Sequence, residues 1–140
     1  MSLYLDASVL LPTIVPEPGS MAVDQFLDSA HSEFYVGEFA AAEVSSAISR
    51  LVRMGLVKEP TANLRLAAFD AWRLDSAESI EIAGSDVRLA DVIVRRFDLK
   101  LRAPDALHVA ICRRLDLTLV TMDRRLAGAG EAFGVLVTLL

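Results

Sequence analysis

Cysteine, lysine and long apolar runs are all scarce in this sequence. The single cysteine, Cys112, excludes an internal disulfide, and its neighbours Val109, Ala110, Ile111 and Leu115 suit a small core residue better than a nucleophile. The longest apolar stretches, such as Val9-Leu10-Leu11 and Gly134-Val135-Leu136-Val137, fall far short of the ~18 residues needed to cross a bilayer. No membrane span is expected. The opening residues Met1-Ser2-Leu3-Tyr4-Leu5-Asp6 have no basic stretch and reach an acid at once, which speaks against a secretory signal and for the cytoplasm. With 7 Gly, 5 Pro and 54% hydrophobic residues, neither a fibrous repeat nor a disordered chain fits. Of 14 basic residues only Lys58 and Lys100 are lysine, a bias that genomic composition explains as readily as phosphate binding. The net charge of −5 excludes a uniformly basic, nucleic-acid-coating surface, but not a nucleic-acid substrate held locally.

What is present is enough apolar material for one α/β domain spanning residues 1–140. Four short apolar runs read as strands: Leu3–Leu5, Glu33–Val36, Leu117–Thr121 and Val135–Thr138. A fifth, Ser79–Ile82, alternates polar and apolar. Helical periodicity fills the gaps: from Ser20, read as a cap, to about Ala30; from Phe39 to Met54; from Glu59 to about Leu74, with Leu64, Ala68, Ala71 and Trp72 available for packing; from Gly84 through Phe97; and onward from Ala103-Pro104-Asp105. Strands alternating with helices imply a mainly parallel central sheet of about five strands, covered by helices on both faces.

Ligand sites in such sheets gather beyond the carboxyl ends of the strands. Asp6 follows the first strand directly, Asp123 comes just after the fourth, and Asp105 sits in the first turn of a helix facing the same edge. Glu43 lies on the helix after the second strand, with Phe39, Ala40, Ser46 and Ala47 as helical neighbours. Taken singly, Asp6 and Asp123 are ordinary helix N-caps, Asp105 meets a helix dipole and Glu43 is a solvated side chain. Taken together, carboxylates about 5 Å apart repel by ~3 kcal/mol at an effective dielectric of 20, so a cluster calls for cations. Hard oxygen donors without clustered His or Cys select Mg²⁺ or Mn²⁺, which points to phosphodiester cleavage. Ser8 and Thr121 are hydroxyls placed either to contact that site or to cap the following helices. His108 reads as a partly buried packing residue, with a supporting role at the site as the alternative. Arg124-Arg125 is either a phosphate contact or a solvated helix face.

The segments Leu3-Tyr4-Leu5-Asp6-Ala7-Ser8, Ala41-Ala42-Glu43-Val44, Ala103-Pro104-Asp105-Ala106-Leu107-His108-Val109-Ala110 and Leu119-Val120-Thr121-Met122-Asp123, in this order, resemble the PIN-domain ribonucleases, and among them the VapC-type toxins of toxin-antitoxin pairs. The resemblance implies that Asp6, Glu43, Asp105 and Asp123 form a catalytic and metal-binding quartet, with Ser8 and Thr121 as accessory polar positions. It further implies a Mg²⁺- or Mn²⁺-dependent endoribonuclease acting on RNA, a homodimer, and a VapB-type antitoxin whose C-terminal segment fills a groove and blocks the site. One feature departs from the more basic members: at −5, RNA capture has to depend on a local arginine patch or on the metal ions. Two other readings compete. An aspartyl phosphotransfer domain needs a lysine after a late strand, and neither Lys58 nor Lys100 follows one. A PIN scaffold that acts mainly through partner binding is not favoured by a chain that keeps all four acids.

Overall fold

A computed structural model describes residues 1–140. Five strands, β1 (Ser2–Leu5), β2 (Glu33–Gly37), β3 (Ala77–Ile80), β4 (Thr118–Thr121) and β5 (Val137–Leu139), form one sheet in the order β3-β2-β1-β4-β5. All four pairings are parallel. Parallel neighbours require crossover connections, supplied here by helices α1 (Ala7–Leu10), α2 (Ser20–Ser29), α3 (Glu38–Arg53), α4 (Glu59–Ser76), α5 (Gly84–Val94), α6 (Ala103–Leu115) and α7 (Arg124–Ala132).

The central strand β1 is covered on both faces, which is why Leu3, Tyr4 and Leu5 form an unbroken apolar run. Leu3, Leu5 and Val120 enter one core with Val9, Leu10, Val44 and Phe69. Tyr4 and Leu119 point the other way, toward Ile93, Val109, Ile111 and Leu126. Cys112 lies in that second core, where burial pushes its thiol upward and away from nucleophilic use. No helix is long and apolar enough to cross a membrane.

Several boundaries differ from the sequence expectation, each for a local reason. The edge strand forms at Ala77–Ile80 instead of Ser79–Ile82, because α4 runs on to Ser76. Only Ile80 of that strand is buried, so its alternation carried little register information. On α4, Leu64, Ala68 and Ala71 face solvent, while Ala62 and Phe69 are buried and Trp72 stacks on Phe69. Ser20 opens α2 but does not cap it. Its Oγ accepts the Glu17 N–H (2.9 Å) and donates to the Pro12 carbonyl (2.9 Å), and Gly19 takes the cap position. The final strand starts at Val137, not Val135, since Gly134 adopts φ +76° and Val135 turns into the core. Helix α5 stops at Val94, and Phe97–Leu99 forms a separate 3₁₀ turn, with the Arg96 guanidinium forked onto Asp98 at 2.9 and 2.8 Å.

Candidate active site

Strands β1 and β4 are adjacent and parallel, so the residues that follow them emerge side by side at the carboxyl edge of the sheet. Asp6 is the N-cap of α1, taking the Val9 N–H at 3.3 Å, yet it is almost wholly buried. Ser8 Oγ donates to its Oδ1 (2.7 Å) and Thr121 Oγ1 donates to its Oδ2 (2.8 Å). Both hydroxyls already accept a backbone donor, Ser8 from Met122 N–H (2.9 Å) and Thr121 from Asp123 N–H (3.0 Å). A hydroxyl has one proton, and the N–H bonds leave it directed at the carboxylate. Burial raises the Asp6 pKa while these two bonds oppose the rise. Of the two roles expected for Ser8 and Thr121, site contact or helix capping, neither side chain caps a helix: they orient Asp6 and splice β1 to the β4–α7 turn.

Glu43 is held from the opposite helical layer. His108 Nε2 lies 2.6 Å from Glu43 Oε1, and His108 Nδ1 lies 2.8 Å from the Tyr4 hydroxyl. With Glu43 ionised, Nε2 donates to it. Burial, reinforced by the nearby Cys112, Asp6 and Glu43, holds the Tyr4 phenol well above its ordinary pKa, so Tyr4 keeps its proton and donates to Nδ1. His108 is 2% exposed and is flanked by the Phe39 ring; it is a bonded link between core and site where simple packing had been the expectation. The line continues into the sheet. A Cβ on Gly37, the last residue of β2, would stand 2.6 Å from the Tyr4 hydroxyl. Since φ −66° and ψ 141° at Gly37 suit any residue, glycine is required there by Tyr4 and not by the backbone.

Asp105 occupies the first turn of α6 and is half-buried. Its pKa is raised, first by loss of water and then by the charges of Asp123 and Glu43, against the opposing pull of Arg102. Arg102 Nε sits 3.9 Å from Asp105 Oδ2. Asp123 is exposed and caps α7, accepting the Arg125 and Leu126 N–H groups at 2.8 and 3.2 Å. Arg124 and Arg125 are exposed in the first turn of α7. Asp6 and Asp123 are joined through Thr121, Glu43 is tied to the core beneath through His108 and Tyr4, and Asp105 opens α6 with Asp123 and Glu43 near enough to raise its pKa. They stand as separately held groups. No three Asp, Glu, His or Cys side chains are close enough together to hold one ion as they are placed. The donor set itself, carboxylates and hydroxyls with no thiolate, suits a hard divalent cation, and Asp105 is the acid least tied down by hydrogen bonds.

Three residues at this edge escaped the sequence reading. Tyr4 gave no signal, being one apolar letter in a buried strand, and neither did Gly37. Arg102 was legible as the cation three residues before Asp105, a helical neighbour.

Comparison with known proteins agrees with this architecture. The family model for the PIN domain matches residues 3–132. Ribonuclease VapC3 of Pyrobaculum aerophilum is 30% identical over 142 positions, covering 99% of each chain. The crystal structure of Mycobacterium tuberculosis VapC20, a sarcin-ricin loop cleaving toxin, superposes with a TM-score of 0.73 at 15% identity over 96% of each chain. A toxin-antitoxin complex from Klebsiella pneumoniae superposes with a TM-score of 0.63 at 17% identity over 91% of this chain and 92% of that one. With nearly its whole length matched and a relative at 30% identity, this chain belongs to the PIN-domain family, in its VapC ribonuclease branch.

Proposed function

We propose that the protein is a Mg²⁺- or Mn²⁺-dependent endoribonuclease that cleaves RNA phosphodiester bonds as the toxin of a toxin-antitoxin pair. The observation that carries this reading is the placement of Asp6 and Asp123 directly after the adjacent strands β1 and β4, linked by Thr121, with Asp105 in the first turn of α6 and Glu43 bonded to His108 of that same helix. Membership of the VapC branch supports it. Asp6, Glu43, Asp105 and Asp123 would hold the cation, which would supply Lewis acidity toward phosphoryl oxygens and toward water. The chain's own residues do the rest. Ser8 and Thr121 fix the Asp6 oxygens, Tyr4 and His108 fix Glu43, and Asp105 and Asp123 complete the anionic wall. Arg124 and Arg125 stand where they can take a phosphate.

The partners follow from the same reading: a VapB-type antitoxin, a second copy in a homodimer, and RNA in the cytoplasm. An RNA cleavage assay with Mg²⁺, Mn²⁺ or EDTA tests it. Cleavage with either cation, lost in EDTA and in Asp105→Asn, is the expected result. A folded wild-type chain that binds partners but cleaves nothing with either metal would favour the scaffold reading.

A further inference from the structure

The net charge of −5 hides a strong segregation. Residues 95–102, Arg95-Arg96-Phe97-Asp98-Leu99-Lys100-Leu101-Arg102, hold four cations against Asp98 alone. With Arg124 and Arg125 they account for six of the 14 basic residues, and the remainder of the chain carries a net charge of −10. This segment connects α5 to α6 and delivers the chain straight into the turn that carries Asp105. Its 3₁₀ turn also packs against α7, whose first residues are Arg124 and Arg125. Leu99 and Leu101 turn inward to the core, which leaves Phe97 83% exposed. Arg95, paired with Asp91 at 3.1 Å, and Arg102, 3.9 Å from Asp105, have side chains 72% and 86% exposed. Lys100 holds φ +53°, a left-handed conformation that disfavours a non-glycine residue, and the Arg96–Asp98 fork steadies the turn before it. The result is an exposed aromatic ring on a hydrogen-bonded turn, flanked in sequence by Arg95, Arg96, Lys100 and Arg102, in the segment that leads into Asp105.

We propose that Phe97 is a stacking platform for a base of single-stranded RNA approaching the acidic edge, with Lys100, Arg102 and Arg124-Arg125 taking the flanking phosphates. The proposal rests on the nuclease reading and assigns a base-contacting residue to it. An aromatic face stacks any base, whereas a duplex keeps its bases inside and offers the ring nothing. A second copy of the chain is the weaker occupant. A two-fold contact centred on Phe97 would set this cationic segment against itself.

Fluorescence anisotropy of a labelled 12-nucleotide single-stranded RNA in EDTA tests the idea without turnover. Phe97→Ala is expected to weaken binding about tenfold and Phe97→Trp to retain it, as stacking contributes ~1–3 kcal/mol per base. Binding of a duplex of the same sequence should not change. Lys100→Gln should lower the salt slope by about 0.7, the increment for one phosphate on a single strand. With Mn²⁺, the Phe97→Ala loss should fall on KM and not on kcat. Equal single-strand affinity of Phe97→Ala and wild type would overturn the proposal, as would a dimer-to-monomer change in sedimentation caused by that substitution, which would give the ring to a second copy. A wild-type chain that binds single strands through Phe97 yet cleaves none with Mg²⁺ or Mn²⁺ would sink the nuclease reading and leave the binding site standing.

Discussion

The contact between Gly37 and Tyr4 gives the sharpest internal test of how Glu43 is positioned. The nearest atom to an added Cβ at Gly37 is the Tyr4 hydroxyl oxygen at 2.6 Å, and the next are ring carbons at 3.4 Å. Gly37→Ala therefore meets one obstacle, and crowding a packed site of this kind costs about 1–3 kcal/mol. Tyr4→Phe removes that oxygen but leaves His108 Nδ1 without its partner, a buried polar atom worth about 1–3 kcal/mol when unpaired. In the double variant the alanine methyl enters the space the hydroxyl has left. The Gly37 substitution then becomes nearly neutral. The two changes should couple by roughly 1–3 kcal/mol, well beyond the ~0.5 kcal/mol within which independent sites add. Urea unfolding in EDTA of the wild type, both single variants and the double variant measures this directly. A second readout follows from Glu43: without the Tyr4 hydroxyl the imidazole loses one of the two hydrogen bonds that fix its orientation beneath the carboxylate. Loss of such support lowers metal affinity about 10- to 100-fold, so Mn²⁺ should raise the melting temperature of Tyr4→Phe less than that of wild type at equal concentration. Additive unfolding energies, or an unchanged Mn²⁺ response, would refute the chain of contacts from Gly37 to Glu43.

Other consequences are simpler to test. Asp123→Asn should abolish cleavage while leaving urea stability within about 0.5 kcal/mol, because asparagine also caps helices, whereas Asp123→Ala should lose a further ~1 kcal/mol by uncapping α7. Asp105 has a raised pKa in the folded chain, so its protonated form favours folding at low pH and that stabilisation is lost as pH rises through the raised value. Unfolding curves from pH 4 to 7 in EDTA should accordingly show Asp105→Asn gaining on wild type toward neutrality; parallel curves would contradict the stated cause. Arg114, at the opposite end of α6 from Asp105, holds the buried Asp86 through bonds of 2.7 and 2.8 Å. Arg114→Ala should destabilise by about 2–4 kcal/mol by stranding that carboxylate, with cleavage per folded molecule unchanged.

What the sequence made legible was set by local rules. Continuous apolar runs announced buried parallel strands, and aspartates just beyond two of them were readable both as caps and as site residues. The structure gives both of them the cap. Positions decided by distant partners were not legible in this way. Tyr4 and His108 are 104 residues apart, and no spacing rule connects them. The apolar residues of α4 are spread around the helix, so periodicity alone does not choose Phe69 over Leu64 as the buried one. The end of α5 was overrun because Arg95-Arg96-Phe97 continues a helical pattern, and only the Arg96–Asp98 fork and the left-handed Lys100 break it.

The same distinction between sums and positions applies to charge. A net value of −5 describes the far field, and at about 0.15 M salt that field is screened beyond about 8 Å. An RNA strand lying on residues 95–102 is within that range of Arg95, Lys100 and Arg102, while acids on the distant faces of α2 and α4 are outside it. The overall charge should therefore slow the approach of RNA at low ionic strength without weakening the contact once made. Stopped-flow binding of single-stranded RNA in EDTA separates the two effects. Removing remote acids, as in Asp24→Asn with Asp28→Asn, should speed association at low salt and leave the dissociation rate alone, whereas Lys100→Gln should raise dissociation at every salt concentration. If the remote pair changed dissociation as much as Lys100→Gln does, the cationic segment would not be where the strand sits.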